Sequence, residues 1–409
     1  MLNNKKCLAF VIAGGKGERL SPLTKERTKP SVPFGSKYRI VDFVLSNLIN
    51  SGIYSIYVLV QYKSQSLIEH IRTSRRRSGL AQDHFITVVP AQMRTAEGGW
   101  YKGTADAIYQ NINLILDSKP DIVAVFAADH IYRMDIRQMI NFHLRKKADV
   151  TVATLPVSIN EAHHFGIAQV TPKCRIKNFI EKPKNPKAVL DTSSNIVSSM
   201  GNYIFDAGIL VDILLKDAQL GKSAHDFGKS IIPALIKTHK VFSYSFANNK
   251  IPGIKKYEEK AYWRDVGTIS SFMSANMDLL GESPILDLNN RAWPIMTADI
   301  ESSPSRIVSG EVKDSVIGEG VFINDSHICK SIIGRGVTIE KGSSIENSII
   351  MGHTKIGKNC HIKNSIIDRY NIVKENTTIG FDEANDKKQY CVDKESGIVL
   401  LARGERNLL

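Results

Sequence analysis

The chain has 409 residues, 43% of them hydrophobic, and carries 54 Lys and Arg against 41 Asp and Glu. This length favours two domains. Because no apolar run approaches 18 residues, we expect a soluble protein without a membrane span. The net charge of +13 indicates anionic partners: nucleic acid, a membrane surface or phosphorylated metabolites. The basic cluster Arg75–Arg77 has no aromatic residues between its members, which disfavours nucleic-acid binding.

The first apolar run and the cysteines indicate the compartment. The run at residues 7–13 is too short to span a membrane and leads directly into a glycine pair without a cleavage site. We therefore interpret it as a buried strand and not a signal peptide. The five cysteines lie far apart with no C-x-x-C pair, which favours reduced thiols over a disulfide framework or a zinc site. Together these features predict a cytoplasmic protein.

Short β-branched runs alternate with amphipathic stretches over the first 157 residues. The predicted strands are 9–12, 56–60, 86–89, 122–126 and 150–155, and the predicted helices are 40–49, 67–71, 105–116 and 136–145. Such alternation predicts an α/β fold with a mainly parallel sheet and helices on both faces. Ligands bind such sheets at the carboxyl ends of the strands, where a glycine-rich loop follows the first predicted strand.

The pattern changes beyond residue 280. Pro284, Pro294 and Pro304 punctuate a polar stretch that we interpret as a linker. Four similar tetrapeptides then begin at residues 315, 331, 348 and 365, which are 16, 17 and 17 residues apart. Aliphatic residues recur every five or six positions, often beside glycine. This period predicts a parallel β-helix of hexapeptide repeats, whereas an ordinary β-sandwich would alternate with a period of two. The predicted domains are residues 1–283 and 305–409, joined by a linker at 284–304.

The glycine-rich loop spans residues 14–20, and its glycines are Gly14, Gly15 and Gly17. Glycines let backbone N–H groups approach phosphate oxygens closely, and Arg19 and Lys29 supply cations for a phosphate. The loop is neither a P-loop nor a complete dinucleotide-binding motif, because Leu20 stands where the third glycine would be. Phosphate binding and a simple tight turn both remain open on the loop alone.

Two aspartates are candidates for a metal site. Asp129 follows a predicted strand, so its carboxylate should emerge at the sheet edge that carries the glycine-rich loop, and Asp265 could meet it there. Mg²⁺ commonly takes one or two carboxylates together with substrate phosphates. The alternative for each aspartate is a strand-end or helix-capping role.

Several motifs around these residues occur in the order found in sugar-nucleotide pyrophosphorylases. They occupy residues 14–30, 90–94, 100–107, 129–132, 181–183, 199–203, 225–228 and 262–268. Individually most are short, but jointly they cover nearly the whole chain. The chain specifically resembles the glucose-1-phosphate adenylyltransferase family. The resemblance implies a GT-A-like α/β catalytic domain followed by a left-handed β-helix.

The resemblance also implies roles for individual residues. It implies catalytic roles for Arg19, Lys29 and Asp129, and Mg²⁺ on Asp129 and Asp265. It places the nucleotide on Gly14, Gly15, Gly17, Gln61, Gln92, Gly103 and Thr104. It places the sugar phosphate on Tyr101, Gly166, Glu181, Lys182 and Ser199. Without the motif order, Lys182 would read as a solvated surface lysine.

The implied reaction joins ATP and glucose 1-phosphate to give ADP-glucose and pyrophosphate, for glycogen synthesis. Alternatives are a different nucleotide or hexose 1-phosphate, a catalytically silent regulatory subunit, or acyl transfer on the β-helix. The resemblance further implies a homotetramer and an anionic effector near Lys25, Arg27 and Arg403. Glu26 departs from the basic pattern of that effector region and would repel a phosphorylated ligand.

Several histidines receive no catalytic role. His130, His143, His163, His164 and His225 show no metal-ligand spacing. We expect the neighbouring His163 and His164 side chains to point apart.

Overall fold

The computed structural model describes residues 5–74, 84–92, 100–158, 162–185, 195–298 and 302–406. The cluster Arg75–Arg77, and Met93 and Arg94 of one motif, lie outside these ranges. No helix in the described part of the chain is long and apolar enough to cross a membrane.

The first part of the chain alternates strands and helices. Its strands are β1 (Cys7–Ala13), β2 (Pro33–Phe34), β3 (Tyr38–Arg39), β4 (Ser55–Val60), β5 (Phe85–Pro90), β6 (Ile122–Ala127), β7 (His130–Tyr132), β8 (Val150–Leu155), β9 (Gly166–Val170), β10 (Ile176–Glu181), β11 (Asn195–Asp206), β12 (Val241–Ser245) and β13 (Trp263–Asp265). Its helices are α1 (Ile40–Asn50), α2 (Gln65–Ser74), α3 (Thr104–Tyr109), α4 (Asn113–Ser118), α5 (Ile136–Lys146), α6 (Ala207–Ala218), α7 (Ile232–Leu235) and α8 (Ile269–Met277). A π-helical turn, Phe227–Ile231, leads into α7.

The main sheet has the order β10-β9-β11-β6-β1-β4-β5, and β8 pairs with both β11 and β12. Strands β6, β1, β4 and β5 run parallel. The long strand β11 pairs antiparallel with β6, β8 and β9. The carboxyl ends of β1, β4 and β6 therefore meet at one edge of the sheet, which is where parallel strands present loops to a ligand.

Helices cover both faces of this sheet because alternate residues of a strand point to opposite faces. Ala9 and Val11 of β1 pack with residues of α1, α2 and α5 on one face. Leu8 and Phe10 pack with residues of α3, α4 and α6 on the other. These buried apolar strands explain the continuous hydrophobic runs in the sequence.

The predicted helix at 105–116 is interrupted in the structure, which has α3 and α4 with a break at residues 110–112. Asn111 explains the break. Its buried amide donates to the Ala107 carbonyl and to the Tyr101 hydroxyl, at 2.8 and 3.1 Å. Such side-chain hydrogen bonds compete with the regular helical pattern.

The last part of the chain forms stacked coils. Its strands are β14 (Arg306–Ile307), β15 (Gly310–Lys313), β16 (Val316–Ile317), β17 (Phe322–Ile323), β18 (Ser326–Cys329), β19 (Ile332–Ile333), β20 (Thr338–Ile339), β21 (Ser344–Glu346), β22 (Ile349–Ile350), β23 (Lys355–Ile356), β24 (His361–Lys363), β25 (Ser365–Ile367), β26 (Ile372–Val373), β27 (Thr378–Ile379), β28 (Cys391–Val392) and β29 (Val399–Leu401). Helix α9 (Glu383–Gln389) lies between β27 and β28.

From β14 to β27 every third strand joins the same sheet, and β29 and β28 extend the third sheet beyond β25. The coils therefore have three flat faces: β14-β17-β20-β23-β26, β15-β18-β21-β24-β27 and β16-β19-β22-β25-β29-β28. All coil-to-coil pairings are parallel within the described coils, and only the β28–β29 pair is antiparallel. The predicted fold class is therefore confirmed, with an α/β domain followed by a parallel β-helix.

The corners of the coils explain the Asn, Asp and Gly residues of the repeat. Each corner series has positive φ: Asp314, Lys330, Asn347 and Asn364; Asp325, Gly342, Asn359 and Asn376; and Gly320, Gly336, His353 and Tyr370. Glycine, Asn and Asp tolerate this left-handed conformation better than other residues. The repeat length is therefore fixed by corners as well as by apolar positions.

The tetrapeptides that begin at residues 331, 348 and 365 each carry two consecutive isoleucines, and the two pack in different cores. Ile333, Ile350 and Ile367 point into the β-helix. Ile332, Ile349 and Ile366 point outward and pack against residues of the first domain that include Leu20 and Phe34. Burying one such side chain stabilises the fold by roughly 2 kcal/mol. The third face of the β-helix therefore holds the two domains together.

Candidate active site

A cleft of about 750 Å³ opens where β1, β4 and β6 end. The predicted residues that line it are Gly14, Gly15, Gly17, Arg19, Lys29, Gln61, Tyr101, Gly103, Thr104, Asp129, Glu181 and Lys182. They come from separate loops, which the sheet brings to one edge.

The glycine-rich loop is held by a hydrogen bond from Gln61, which is itself bound by the segment at Tyr101. Gln61, just after β4, donates its amide to the Gly14 carbonyl at 3.1 Å and accepts from the Tyr101 N–H at 2.9 Å. Gly17 has φ +67, and a Cβ there would lie 3.0 Å from Cβ of Lys29. A side chain at this position would therefore meet both backbone strain and a close contact.

Lys29 joins the two aspartates of the predicted metal site. Its Nζ lies 3.0 Å from Asp129 Oδ2 and 2.8 Å from Asp265 Oδ1. Asp265 reaches this position because β13 pairs with β7 and sets Asp265 opposite His130. Arg19 stands further away, with its guanidinium 4.0 Å from Asp265 Oδ2.

These contacts shift the ionisation of the groups. Burial disfavours the charged form of Lys29, but Asp129 and Asp265 outweigh it and raise the pKa of its ammonium. Burial also opposes ionisation of Asp129, yet Lys29 and His130 lower the pKa of that carboxyl far below its ordinary value. At neutral pH the Lys29 side chain is therefore an ammonium and the Asp129 side chain is ionised.

The same carboxylates fit a divalent cation. Asp129, His130 and Asp265 each offer a ligand atom, and these atoms lie within 4.8 Å of one another. The carboxylates already converge on one cation, the Lys29 ammonium. Oxygen ligands of this kind suit a hard divalent ion that also binds phosphate.

Glu181 and Lys182 both line the cleft although they are consecutive. Neighbouring residues of a regular strand would point to opposite faces. Lys182 has φ +46, just after the end of β10, and its N–H donates to the Phe165 carbonyl at 3.0 Å. This left-handed turn breaks the alternation and lets both side chains serve one site.

Glu181 is largely buried, and this burial raises the pKa of its carboxyl. Lys182 Nζ lies 4.0 Å from Glu181 Oε1, and its side chain is 60% exposed. The lysine can therefore reach an incoming phosphate, while the glutamate offers an acceptor on a buried wall.

Residues 225–229, before α7, form another wall of the cleft and hydrogen-bond to the start of α3. Asp226 accepts hydrogen bonds from the Thr104 hydroxyl at 2.9 Å and from the Gly228 and Lys229 N–H groups at 3.0 Å. The His225 carbonyl accepts from the Ala105 and Asp106 N–H groups at the start of α3. The π-helical turn and α3 are thereby fixed to each other.

The sequence matches the model of the nucleotidyl transferase family over residues 8–282, and that of the "GlmU-like, C-terminal hexapeptide" family over residues 302–401.

The chain belongs to the nucleotidyl transferase family.

Similar members of the nucleotidyl transferase family are named glucose-1-phosphate adenylyltransferase. The protein of that name from Thermodesulfovibrio yellowstonii is 53% identical over 98% of this chain and 97% of its own length. Those from an Anaeromyxobacter species and from Aliivibrio fischeri strain ES114 are 45% and 44% identical. Each alignment covers 98% of this chain, and 99% and 98% of the respective relatives. The resemblance found from the motifs is confirmed, and the chain is an enzyme of the nucleotidyl transferase type.

Some residues predicted for the site do not line the cleft. Gln92 is exposed beyond the end of β5. Ser199 is buried in β11, where its hydroxyl accepts from the Gly201 N–H at 3.2 Å. Gly166 lies behind Glu181 at the start of β9. For Gln92, Ser199 and Gly166, roles in binding stay predictions.

The residues predicted for an effector lie at the junction with the β-helix. Lys25, Arg27 and Arg403 line a small recess together with the carboxylates of Glu26 and Asp368. Arg27 is buried there and its guanidinium lies 2.5 Å from Asp368 Oδ2. Arg27 therefore pairs with Asp368 in the protein itself, independently of any effector.

Sequence reasoning missed several residues of the cleft wall. Tyr203, Asp226, Phe227 and Gly228 line it, although the motif at 225–228 received no role. His130 received none because the histidines show no metal-ligand spacing, yet the antiparallel β7–β13 pair brings it together with both aspartates. The family motif at 225–228 was a usable signal, while the His130 contact depends on a distant strand.

The expectation for His163 and His164 was wrong. They lie in a 3₁₀ turn, Ala162–His164, and their ring centroids are 3.8 Å apart. A tight helical turn does not separate neighbouring side chains as a strand does.

Proposed function

We propose that the protein transfers the adenylyl group of ATP to α-D-glucose 1-phosphate, giving ADP-glucose and pyrophosphate for glycogen synthesis. The name shared by the relatives supports the choice of base and sugar. The observation that carries the proposal is one cleft lined by the glycine-rich loop, by Lys29 and Asp129, and by the Glu181–Lys182 pair. Asp265 contacts Lys29 at the edge of this cleft.

In this proposal the glycine-rich loop binds the ATP phosphates. Its backbone N–H groups and Arg19 meet phosphate oxygens, and the side-chain amide of Gln61 keeps the loop in place. Thr104 and Gly103 form the neighbouring wall at the start of α3. On the ATP side of the cleft, the Gln61 hydrogen bond therefore holds the start of the loop before substrate arrives.

Glucose 1-phosphate occupies the other side. Lys182, exposed at the end of β10, pairs with its phosphate, and Glu181 accepts hydrogen bonds from sugar hydroxyls. Tyr101 closes this side, since it lines the cleft and receives a hydrogen bond from Asn111. The phosphate oxygen then faces the α-phosphorus of ATP.

The attack needs no general base, because a phosphate monoester with a second pKa of about 6 is largely dianionic at pH 7. The barrier is the repulsion between two polyanions. Arg19, Lys29 and Lys182 lower it by holding both phosphates in line and by stabilising charge on the leaving pyrophosphate. We infer that Mg²⁺ is the cofactor, held by Asp129 and Asp265, and that it supplies further charge neutralisation when bound.

A pyrophosphate-release assay with ATP and glucose 1-phosphate, with and without Mg²⁺, tests the proposal. We expect release that requires both substrates and the metal. Faster release with another nucleoside triphosphate or hexose 1-phosphate would identify a different nucleotidylyltransferase. No release with any pair would identify a silent subunit and overturn the proposal.

We also propose an anionic effector at the recess lined by Lys25, Arg27 and Arg403. The three basic side chains support it, and Glu26 in the same recess restricts the charge that an effector can carry. Activity measured with added inorganic phosphate, in the wild type and in Lys25→Ala, tests it. The homotetramer, which native mass would measure, stays a prediction from the resemblance. The cytoplasmic location stays a prediction from the first apolar run and the cysteines.

A further inference from the structure

One oxygen of Glu181 is enclosed by two glycines from different elements. A Cβ built on Gly228 would lie 2.4 Å from Glu181 Oε2 and 2.9 Å from its Cδ. A Cβ built on Gly166 would lie 2.6 Å from the same oxygen. Carbon and oxygen atoms in contact stand about 3.3 Å apart. The carboxylate therefore packs directly against main chain on two sides.

The two glycines are needed for space and not for backbone conformation. Neither Gly166 nor Gly228 has a positive φ, so any residue could adopt their backbone conformation. A side chain at either position would instead clash with Glu181.

The Gly228 backbone cannot easily retreat. Its N–H donates to Asp226 Oδ1 at 3.0 Å, and Asp226 is fixed by the Thr104 hydroxyl at 2.9 Å. The π-helical turn that contains Gly228 continues into α7, whose Ile232 and Leu235 are buried. Any atom added at Gly228 would therefore displace Glu181 and not the turn.

We propose that Gly228 is a positioning residue for the hexose phosphate, because its missing side chain fixes where the Glu181 carboxylate stands. Oε2 packs against the two glycines, which leaves Oε1 on the side of the Lys182 ammonium. The ligand class is a sugar phosphate whose hydroxyl donors meet that carboxylate. The inference rests on the proposed function, in which Glu181 and Lys182 bind the sugar phosphate.

The expected defect is confined to one substrate. Displacing a substrate-positioning group by about 1 Å can cost 100-fold. We expect Gly228→Ala to raise KM for glucose 1-phosphate about 10- to 100-fold, and to leave KM for ATP within about twofold. The glycine-rich loop contacts other segments, so the ATP side should not change. A general disturbance of the fold would change both values.

The experiment measures initial rates while each substrate is varied, together with binding of glucose 1-phosphate by calorimetry. The matched control is Gly221→Ala, because a Cβ on Gly221 would meet nothing within 4 Å. A KM for glucose 1-phosphate in Gly228→Ala within about twofold of this control would overturn the inference. Equal loss of affinity for both substrates would overturn it as well.

A second variant separates the clash with Glu181 from other effects. Glu181→Asp shortens the side chain and makes room for the added methyl. In that background we expect Gly228→Ala to raise KM for glucose 1-phosphate less than about threefold, because the two changes act through one contact. Additive effects would contradict the inference.

Two further outcomes are also informative. If Gly228→Ala alone does not fold, folding of the double variant supports the inference and failure of both overturns it. Absence of turnover in the wild type would instead disprove the proposed function, which keeps the two failures distinct.

Discussion

Two basic residues only two positions apart in the chain form ion pairs of opposite kinds. Arg27 and its partner Asp368 are each 1% exposed, and they join the first domain to the β-helix. Lys29 is 8% exposed, but its partners Asp129 and Asp265 are 38% and 21% exposed, and Asp129 lines the cleft. The interface pair is sealed, whereas the cleft pair can be reached from solvent.

The difference shows how one short segment serves both assembly and chemistry. A 3₁₀ turn, Lys29–Ser31, follows Arg27 and directs Lys29 into the cleft. A buried charge that loses its partner is strongly destabilising, so Arg27 needs Asp368 for the full stability of the fold. The carboxylates that contact Lys29 are partly exposed, so a cation from solvent can reach them. The two pairs should therefore respond differently to removal of one partner.

The largest expected effect is on turnover in the cleft. We predict that Asp129→Asn lowers kcat for pyrophosphate release about 1,000-fold, because it removes a metal ligand and negative charge at the point of transfer. The melting temperature should change little, since Lys29 keeps Asp265 as a partner. Steady-state kinetics and thermal unfolding check both parts.

The matched control for Asp129→Asn is Asp117→Asn, an exposed carboxylate on α4. It should leave both quantities unchanged. An Asp129→Asn protein that retains metal-dependent turnover would remove this carboxylate from the site.

The next largest effect is also in the cleft. We predict that Lys29→Met lowers kcat about 100- to 1,000-fold, because a positioned cation is lost. It should also tighten the binding of Mn²⁺ in the absence of substrates, because an ammonium no longer lies between the two carboxylates. Calorimetry with Mn²⁺ measures the second effect.

Lys16→Met is the control for Lys29→Met, since Lys16 lines the same cleft but is 61% exposed. We expect it to change metal affinity much less than Lys29→Met does. Weaker Mn²⁺ binding in Lys29→Met would show that Lys29 supports the metal and does not compete with it.

The sequence predicts the cleft residues that directly follow strands better than those placed by contacts with distant segments. Gly14 and Asp129 follow buried strands, and parallel strands bring their carboxyl ends together, so their meeting could be foreseen. His130 depends on the pairing of β7 with the distant strand β13, and Gly228 depends on its contact with the distant Glu181 at the end of β10. No local period encodes such contacts.

The β-helix shows the same limit. Its period predicts an inward residue such as Ile350 in each coil. It does not explain the neighbouring Ile349, which is apolar because the first domain covers that face. Likewise the Arg27–Asp368 pair joins residues 341 positions apart, beyond the reach of any motif.

At the interface the expected effect is on stability. We predict that Asp368→Asn lowers the free energy of unfolding by about 3 kcal/mol, because Arg27 stays buried without a carboxylate. Turnover at a temperature where the variant is folded should stay close to that of the wild type. Denaturant unfolding followed by tryptophan fluorescence measures the loss.

The exposed pair Lys387–Glu383 gives the control for Asp368→Asn, since its side chains are 58% and 67% exposed. Glu383→Gln should cost less than about 0.5 kcal/mol. The double variant Arg27→Met with Asp368→Leu should recover most of the lost stability, since replacing both charges removes the unpaired one. A double variant no more stable than Asp368→Asn would show that the pair itself is required.

The smallest expected effect concerns a carboxylate of the cleft wall, and it depends on pH. Burial raises the pKa of Glu181, so ionising this group costs the folded protein more than the unfolded chain. That cost is absent below the ordinary glutamate pKa and is complete above the raised pKa of the folded state. The Glu181→Gln variant lacks this ionisation cost at every pH.

We therefore predict that the Glu181→Gln variant gains stability over the wild type as pH rises from about 4 to 8. Thermal unfolding of both proteins across this range measures the difference in their stability. If this difference does not grow with pH, the Glu181 carboxylate is solvated as well in the cleft as in the unfolded chain.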